Sequence, residues 1–208
     1  MADRPIIFSA PMVQALLAGR KSQTRRVLKP QPDFRGGVGD YHDAEEWGWE
    51  DEDGYHVSVL DICPNGFRVG DRLWVREAVC WVSGWGWRYR ADNDDLAEKR
   101  ETGEVSRWRP SIHMPRWASR LTLTVTDVRV QRLADLTDED AIAEGCDAVL
   151  ALTIKRPNGA HPGNPRECYC DLWNSLHGPG AWDANPWVVA VTFTVQRWNI
   201  DQIGDANG

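Results

Sequence analysis

Hydrophobic and polar residues alternate most regularly over two long segments, 120–133 and 187–198. Apolar residues at every second position line one face of an extended chain, so both segments are predicted to be β-strands. Shorter segments with similar composition occur at 5–9, 69–77 and 81–90. They predict a strand, a second strand opened by a Gly-Asp turn, and a hairpin.

A helical spacing follows the first predicted strand. Met12, Leu16 and Leu17 recur at intervals that place them on one helix face. Pro11 occupies the first turn, where proline is favoured, and Gly19 provides a C-terminal stop. The pattern therefore predicts a short helix that ends at Gly19.

Two further helices are predicted in the last third of the chain. Thr137 followed by Asp140 resembles a capping box in which aspartate replaces the usual glutamate. A helix is therefore expected over 138–144, ended by Gly145, and another over 170–177.

The order of elements has no repeated strand-helix-strand unit of the kind that builds a parallel sheet. It predicts an α+β, mainly β fold, a small antiparallel β-barrel with short helices packed outside. We expect one domain over 1–208, with polar insertions near 33–66 and 92–109 and a flexible tail at 200–208.

Composition narrows the class of protein. The net charge is -7, which argues against broad non-specific binding to nucleic acid. No stretch of about 18 apolar residues suits a membrane span, and residues 1–5 lack the apolar region of a signal peptide. A cytoplasmic protein without membrane partners is expected. The 12 tryptophans predict extensive ring packing, with a few rings exposed to stack on flat ligands.

The cysteines do not indicate a disulfide framework, because their number is five and their spacing is scattered. Cys168 and Cys170 form Cys-x-Cys, with His161 and His177 nearby in sequence. This spacing matches no usual zinc template, so neither a metal nor a cofactor is predicted.

A basic segment at 19–26 follows the first predicted helix, in an otherwise acidic chain. Cations near a helix C-terminus are favoured by the helix dipole, so a solvated turn is one explanation. The other is an anion or catalytic site. Lys21 precedes Thr24 by three residues, and a threonine hydroxyl becomes nucleophilic when a base removes its proton. A lysine serves as that base only if its pKa falls, and a carboxylate must then handle the proton.

Several strings of this chain resemble the ASCH family, and in particular its longer members encoded by phages and prophages. The strings are Arg4-Pro5-Ile6, Leu17-Ala18-Gly19-Arg20-Lys21-Ser22-Gln23-Thr24, Gly70-Asp71, Trp74-Val75-Arg76-Glu77, Arg109-Pro110-Ser111-Ile112-His113-Met114-Pro115, residues 136–145 and Asp183-Ala184-Asn185-Pro186-Trp187. The resemblance implies a PUA-like β-barrel. By similarity to small bacterial N4-acetylcytidine amidohydrolases, it makes Thr24 the nucleophile, Lys21 its base and Glu144 the proton-handling carboxylate.

Seven further residues are expected to contact substrate. Three arginines belong to the basic segment, and the others are placed at the mouth of the expected barrel: Arg20, Arg25, Arg26, Trp74, Arg76, Glu77 and Trp187. An arginine–glutamate pair within the sheet is the alternative explanation for Arg76 and Glu77.

The function expected from these features is recognition of a nucleobase or nucleotide. The most concrete reaction is an amidohydrolase step that removes an acyl group from N4-acylated cytidine or a related modified nucleotide. Two alternatives stay open: a non-catalytic RNA- or DNA-binding module, and a ribonuclease in which Lys21 and Glu144 perform acid–base chemistry. The oligomeric state is not predicted.

Overall fold

The computed structural model describes most of the chain. The described residues are 2–34, 47–50, 56–58, 66–92, 96, 100–147, 151, 152, 154, 156 and 159–202. Parts of the two predicted insertions and of the predicted tail lie outside the described residues, namely 35–46, 51–55, 59–65, 93–95, 97–99 and 203–208.

The described residues include ten strands and three α-helices with complete bounds. The strands are β1 Asp3–Ile7, β2 Gln23–Val27, β3 Asp33–Phe34, β4 Trp47–Glu50, β5 His56–Ser58, β6 Arg72–Arg76, β7 Val79–Val82, β8 Gly86–Tyr89, β9 Thr122–Arg132 and β10 Trp187–Gln196. The helices are α1 Ala10–Leu17, α2 Asp138–Ala143 and α3 Pro165–His177. Short 3₁₀ turns lie at Arg90–Asp92, Ser111–His113, Arg116–Ala118 and Leu133–Asp135.

The predicted antiparallel barrel is wrong. The main sheet has five strands in the order β1-β6-β9-β10-β2, and it is mixed, because β1 runs parallel to β6. The pairs β6–β9 and β10–β2 are antiparallel. Within the described ranges β1 and β2 are the two edges of this sheet and do not pair, so it does not close. A three-stranded sheet β3-β4-β5 and the hairpin β7-β8 complete the α+β architecture.

Local patterns located most of the elements correctly. Helix α1 begins after Ser9, carries Pro11 in its first turn, and is followed by Gly19 at a φ of 69°. Helix α2 is capped by the Thr137 hydroxyl, which accepts from the Asp140 N–H at 3.1 Å. Helix α3 was predicted to begin at residue 170. It begins five residues earlier, because the Asn164 side chain caps it and a proline occupies its first turn.

The chain divides into two compact units. The first comprises Met1–Lys21, Gly70–Val125 and Phe193–Gly208. Its helix α1 buries one face through Met12, Val13, Ala15 and Leu16, and β6 buries Leu73, Trp74 and Val75 in succession. Ile200, the first residue of the predicted flexible tail, is fully buried in this unit.

The second unit comprises Ser22–Val69 and Thr126–Thr192. Its apolar core is built where α2 and α3 meet the start of β10, from Leu133, Leu136, Ala141, Cys146, Cys168, Tyr169, Trp173 and Val188. No helix in the described part of the chain has the length and apolar character needed to cross a bilayer.

Candidate functional site

The second half of the basic segment is a strand, not a turn. In β2, Thr24 pairs with Val191 of β10 and Arg25 pairs with Ala190. Thr24 and Arg25 are each only 2% exposed, so a solvated turn does not describe these residues. Sequence reasoning missed the strand because Gln-Thr-Arg-Arg contains no apolar alternation.

Arg25 is the centre of a buried polar cluster in the second unit. Its guanidinium lies 3.2 Å from Glu144 Oε1 and 2.8 Å from Asp140 Oδ2. Its Nη1 also donates to the Gln23 side-chain oxygen at 2.5 Å. A guanidinium removed from water needs such partners, since an unpaired buried charge is strongly destabilising. Arg25, predicted to contact substrate, is thus engaged by side chains of its own unit.

Glu144 reaches this cluster from the end of α2. It directly follows the last helical residue, and its backbone N–H donates to the Asp140 carbonyl at 2.9 Å. Gly145, at a φ of 93°, then turns the chain. Glu144 is 3% exposed, so the solvated position considered for a helix-terminal glutamate does not apply. Its Oε1 accepts from Arg25 and, at 3.3 Å, from the Tyr169 hydroxyl.

Tyr169 is a member of the cluster that sequence reasoning missed. It lies on α3 in the first turns and is buried. Burial, and after it the negative charge of Glu144, raise the pKa of the Tyr169 hydroxyl well above its usual value. The phenol therefore stays protonated at neutral pH and donates to the carboxylate. Extending the predicted helix to Asn164 and Pro165 would have placed Tyr169 on the same face as Trp173, and so towards the core.

Arg26 supplies a partly exposed cation beside the same cluster. Burial lowers the pKa of Arg26, and the negative charge of Glu144 opposes this shift, so the two groups lie within electrostatic reach of one another. An arginine stays charged at neutral pH in such surroundings. Burial, Arg26 and Lys29 together lower the pKa of His177, so this imidazole is neutral at pH 7.

Lys21 belongs to the first compact unit, of which it is the last residue before the boundary. It is 2% exposed, and its ammonium lies 5.6 Å from the centre of the Phe8 ring. Lys21 therefore does not project into solvent. On the other side of the boundary the backbone N–H of Ser22 donates to the Ala143 carbonyl at 2.8 Å. The residue after Lys21 is thus bonded to the residue before Glu144.

Three of the four residues predicted at the barrel mouth, Trp74, Arg76 and Glu77, lie in the first unit. Trp74 is buried, and the Arg76 guanidinium lies 5.2 Å from its ring centre and donates to the Ser111 carbonyl at 3.0 Å. Glu77 accepts from Arg120 through both oxygens, at 2.8 and 3.1 Å. Glu77 therefore pairs with Arg120, and the pair between Arg76 and Glu77 that was the alternative explanation does not form.

Arg20 and Trp187, the remaining predicted binding residues, lie in different units. Arg20 is half-buried, and its backbone N–H donates to the Ala15 carbonyl at 2.9 Å. Trp187 is buried, with the Arg132 guanidinium 4.6 Å from its ring centre. The contact with Arg132 suits a structural role for the Trp187 side chain.

The second unit also contains a cavity of about 350 Å³ lined in part by Cys146, Asp147, Leu152 and His161. None of the predicted site residues lines it. Among the described residues no group of three or more His, Cys, Asp or Glu side chains is arranged to hold a metal ion.

Comparison with protein-family models, with curated proteins and with solved structures found no match for this chain. The resemblance to the ASCH family therefore stays a prediction, and function has to be argued from the residues themselves.

Proposed function

We propose that this protein recognises a nucleobase or nucleotide and hydrolyses an amide, removing an acyl group from N4-acylated cytidine or a related modified nucleotide. The observation that supports it is burial: Lys21, Thr24 and Glu144 are 2%, 2% and 3% exposed. These are the amine, the hydroxyl and the carboxylate that the reaction requires. Burying polar groups costs free energy of desolvation, and groups buried despite that cost are typical of functional sites.

In the proposed reaction the Thr24 hydroxyl attacks the carbonyl carbon of the acyl amide. Its proton passes to Lys21, a role that rests on the resemblance and on the three-residue spacing. The C–N bond then breaks, the departing amino group of the base takes up a proton, and the acyl group remains on Thr24 as an ester. Water hydrolyses that ester, which releases the acyl group as a carboxylic acid and restores the hydroxyl.

The second unit provides the carboxylate of this scheme in a fixed position. Arg25 and Tyr169 both contact Oε1 of Glu144, so its orientation is determined before any substrate arrives. A positioned carboxylate relays protons more effectively than a mobile one. Arg26, cationic and partly exposed beside Glu144, suits a negatively charged substrate group such as a phosphate.

The test is hydrolysis of N4-acetylcytidine and its 5′-monophosphate, followed by chromatography of the released cytidine or cytidine monophosphate. Thr24→Val keeps the shape and removes the hydroxyl, and should lower kcat by at least about 10³-fold. Thr24→Ser should retain part of the activity. Ser22→Ala is the matched control, because Ser22 is an exposed hydroxyl two residues away, and it should behave as wild type.

No turnover by the wild-type protein, or equal rates for wild type and Thr24→Val, would overturn the amidohydrolase. Cleavage of a labelled RNA, abolished by Glu144→Gln and unaffected by Thr24→Val, would support the ribonuclease instead. Binding of the nucleotide without conversion would leave the non-catalytic binding module.

A further inference from the structure

Two segments of the first unit concentrate tryptophan and arginine while lacking acids. Residues 79–90 contain three tryptophans and two arginines, and residues 105–117 contain two tryptophans and three arginines. Neither segment contains Asp or Glu, although the whole chain carries a net charge of -7. A local positive excess of this kind indicates an anionic partner.

The fold brings these two segments side by side. Val79 forms an antiparallel bridge with Arg109, and Val82 forms one with Val105. The Ser106 N–H donates to the Trp81 carbonyl at 2.8 Å, and the Ser106 hydroxyl accepts from the Trp81 N–H at 2.8 Å. The second segment therefore lies along the edge of the β7-β8 hairpin as a further extended strand.

Three tryptophan rings form a row on this surface. Trp81 and Trp87 are cross-strand partners in the hairpin, with ring centres 5.7 Å apart and planes at 78°. Trp117 continues the row, with its ring centre 5.7 Å from that of Trp87. Strand alternation explains the exposure of the first ring, since Cys80 and Val82 on either side of Trp81 are buried.

The rings at both ends of this row are open to solvent. Trp81 is 48% exposed and Trp117 is 62% exposed, and at the hairpin turn Trp85 is 50% exposed. Large flat apolar rings left in water are unfavourable unless a partner covers them. Their spacing and exposure suit a partner with several flat rings of its own.

Arginines lie among the rings. The Arg109 guanidinium lies 5.4 Å from the Trp87 ring centre, and that of Arg90 lies 5.7 Å from the Trp108 ring centre. Arg107, which lies between Arg90 and Arg109 in sequence, is exposed. Across the described ranges of the chain no carboxylate pairs with Arg90, Arg107 or Arg109, whereas Arg116 is engaged by Asp3 and Asp201.

Asp92, the described acid nearest to Arg90 in sequence, pairs with Arg120 at 2.7 Å. The surface formed by residues 79–90 and 105–117, here called the Trp–Arg surface, therefore combines stacking rings with available positive charge.

We propose that the Trp–Arg surface binds single-stranded nucleic acid. Bases stack on Trp81, Trp85 and Trp117, and backbone phosphates contact Arg90, Arg107 and Arg109. Aromatic faces between cations are the combination that single strands need, because every base has a face to stack and every nucleotide has a phosphate. In a duplex the bases stay stacked on one another, so only its phosphates can contact this surface.

This proposal does not rest on the amidohydrolase, and its test uses a different readout. The full-length protein is titrated into 5′-fluorescein-labelled dT12 or rU12, and fluorescence anisotropy is recorded from 50 to 300 mM NaCl. We expect Trp81→Ala and Trp117→Ala each to weaken binding by about 5- to 100-fold, the loss of one stacked base. Trp81→Phe should keep most of the affinity, because it keeps a ring.

Removing charge should change the salt dependence in a separate way. The double variant Arg107→Ala/Arg109→Ala should reduce the slope of log K against log salt by about 1.4, since each phosphate contact on a single strand contributes about 0.7. Two controls outside the surface should behave as wild type: Trp198→Ala, an exposed ring in the same unit, and Arg100→Ala, an exposed arginine. Circular dichroism melts confirm that every variant is folded.

Three outcomes would overturn the proposal. The first is no binding of either oligonucleotide at 50 mM NaCl. The second is equal affinity for a labelled duplex of the same length, which would show phosphate contacts without stacking. The third is equal affinity for a labelled polyglutamate peptide, which would make the partner an acidic protein segment.

Discussion

Each compact unit contains a glutamate that is almost fully buried against an arginine, and the two pairs are built differently. In the first unit Glu77 accepts two hydrogen bonds from Arg120, one on each oxygen. In the second unit Arg25 divides its contacts among Gln23, Asp140 and Glu144, and two donors meet on Oε1 of Glu144.

The difference separates a pair that stabilises the fold from a cluster that positions a reactive group. Arg120 binds Glu77 in the bidentate geometry that makes arginine–carboxylate pairs strong, and it also pairs with Asp92 at 2.7 Å. The Arg25 cluster instead holds one glutamate by a guanidinium and a phenol that both come from its surroundings, at the end of a helix. A buried arginine–glutamate pair is therefore weak evidence for function until its donors are counted.

The largest expected effect is the removal of Arg25. Arg25→Ala leaves Glu144 and Asp140 together without their shared cation, and breaking a buried pair costs about 3–5 kcal/mol. Arg120→Ala should cost less, because the Arg120 side chain is 26% exposed and water reaches the site. Urea unfolding followed by circular dichroism measures the loss of unfolding free energy for both variants.

Arg129→Ala is the control for this comparison. Arg129 also contacts Asp140, at 3.0 Å, but is 47% exposed, and exposed pairs contribute up to about 1 kcal/mol. If Arg25→Ala lowered the free energy of unfolding no more than Arg129→Ala, the buried cluster would not be a main source of stability in the second unit.

The two networks should also respond oppositely to pH. Burial raises the pKa of Glu77 above its usual value of 4.5, although Arg120 opposes it. Burial also acts to raise the pKa of Asp140, but the charges of Arg25 and Arg129 outweigh it and lower that pKa below 3.8. Ionisation of Glu77 therefore reduces stability as pH rises above about 4.5, while ionisation of Asp140 adds stability that is lost as pH falls below its usual pKa.

Unfolding free energies of the wild type, Glu77→Gln and Asp140→Asn between pH 3 and pH 7 test this contrast. The advantage of wild type over Glu77→Gln should shrink as pH rises from 4.5. Its advantage over Asp140→Asn should shrink as pH falls below 3.8, the usual pKa of an aspartate. Parallel curves for the two variants would contradict the opposite signs.

A small effect on stability is expected of Tyr169→Phe. Losing the 3.3 Å hydrogen bond to Glu144 should cost about 0.5–1.5 kcal/mol. Tyr89→Phe, which removes a 3.0 Å bond to the Ala118 carbonyl, should cost a similar amount. The two variants should differ in the rate of amide hydrolysis. Tyr169→Phe should lower this rate, and Tyr89→Phe should leave it unchanged. Equal activities would show that Tyr169 does not position Glu144.

The sequence selected candidate residues but did not reveal their surroundings. Lys21, Thr24 and Glu144 were selected by motif, and all three proved buried. Tyr169 was missed because the predicted helix began too late. The contact of Arg25 with Glu144 spans 119 residues, a separation at which no local pattern reports proximity.

By itself the sequence determined where α1, α2, β9 and β10 form, because capping residues, a first-turn proline and two-residue alternation act over a few neighbouring positions. Only the tertiary structure decided that β1 pairs in parallel with β6, that the sheet stays open, and that β2 is a strand despite its polar composition. Strand pairing and burial depend on partners far along the chain. The same residue type, arginine, is therefore buried at position 25 and exposed at position 107.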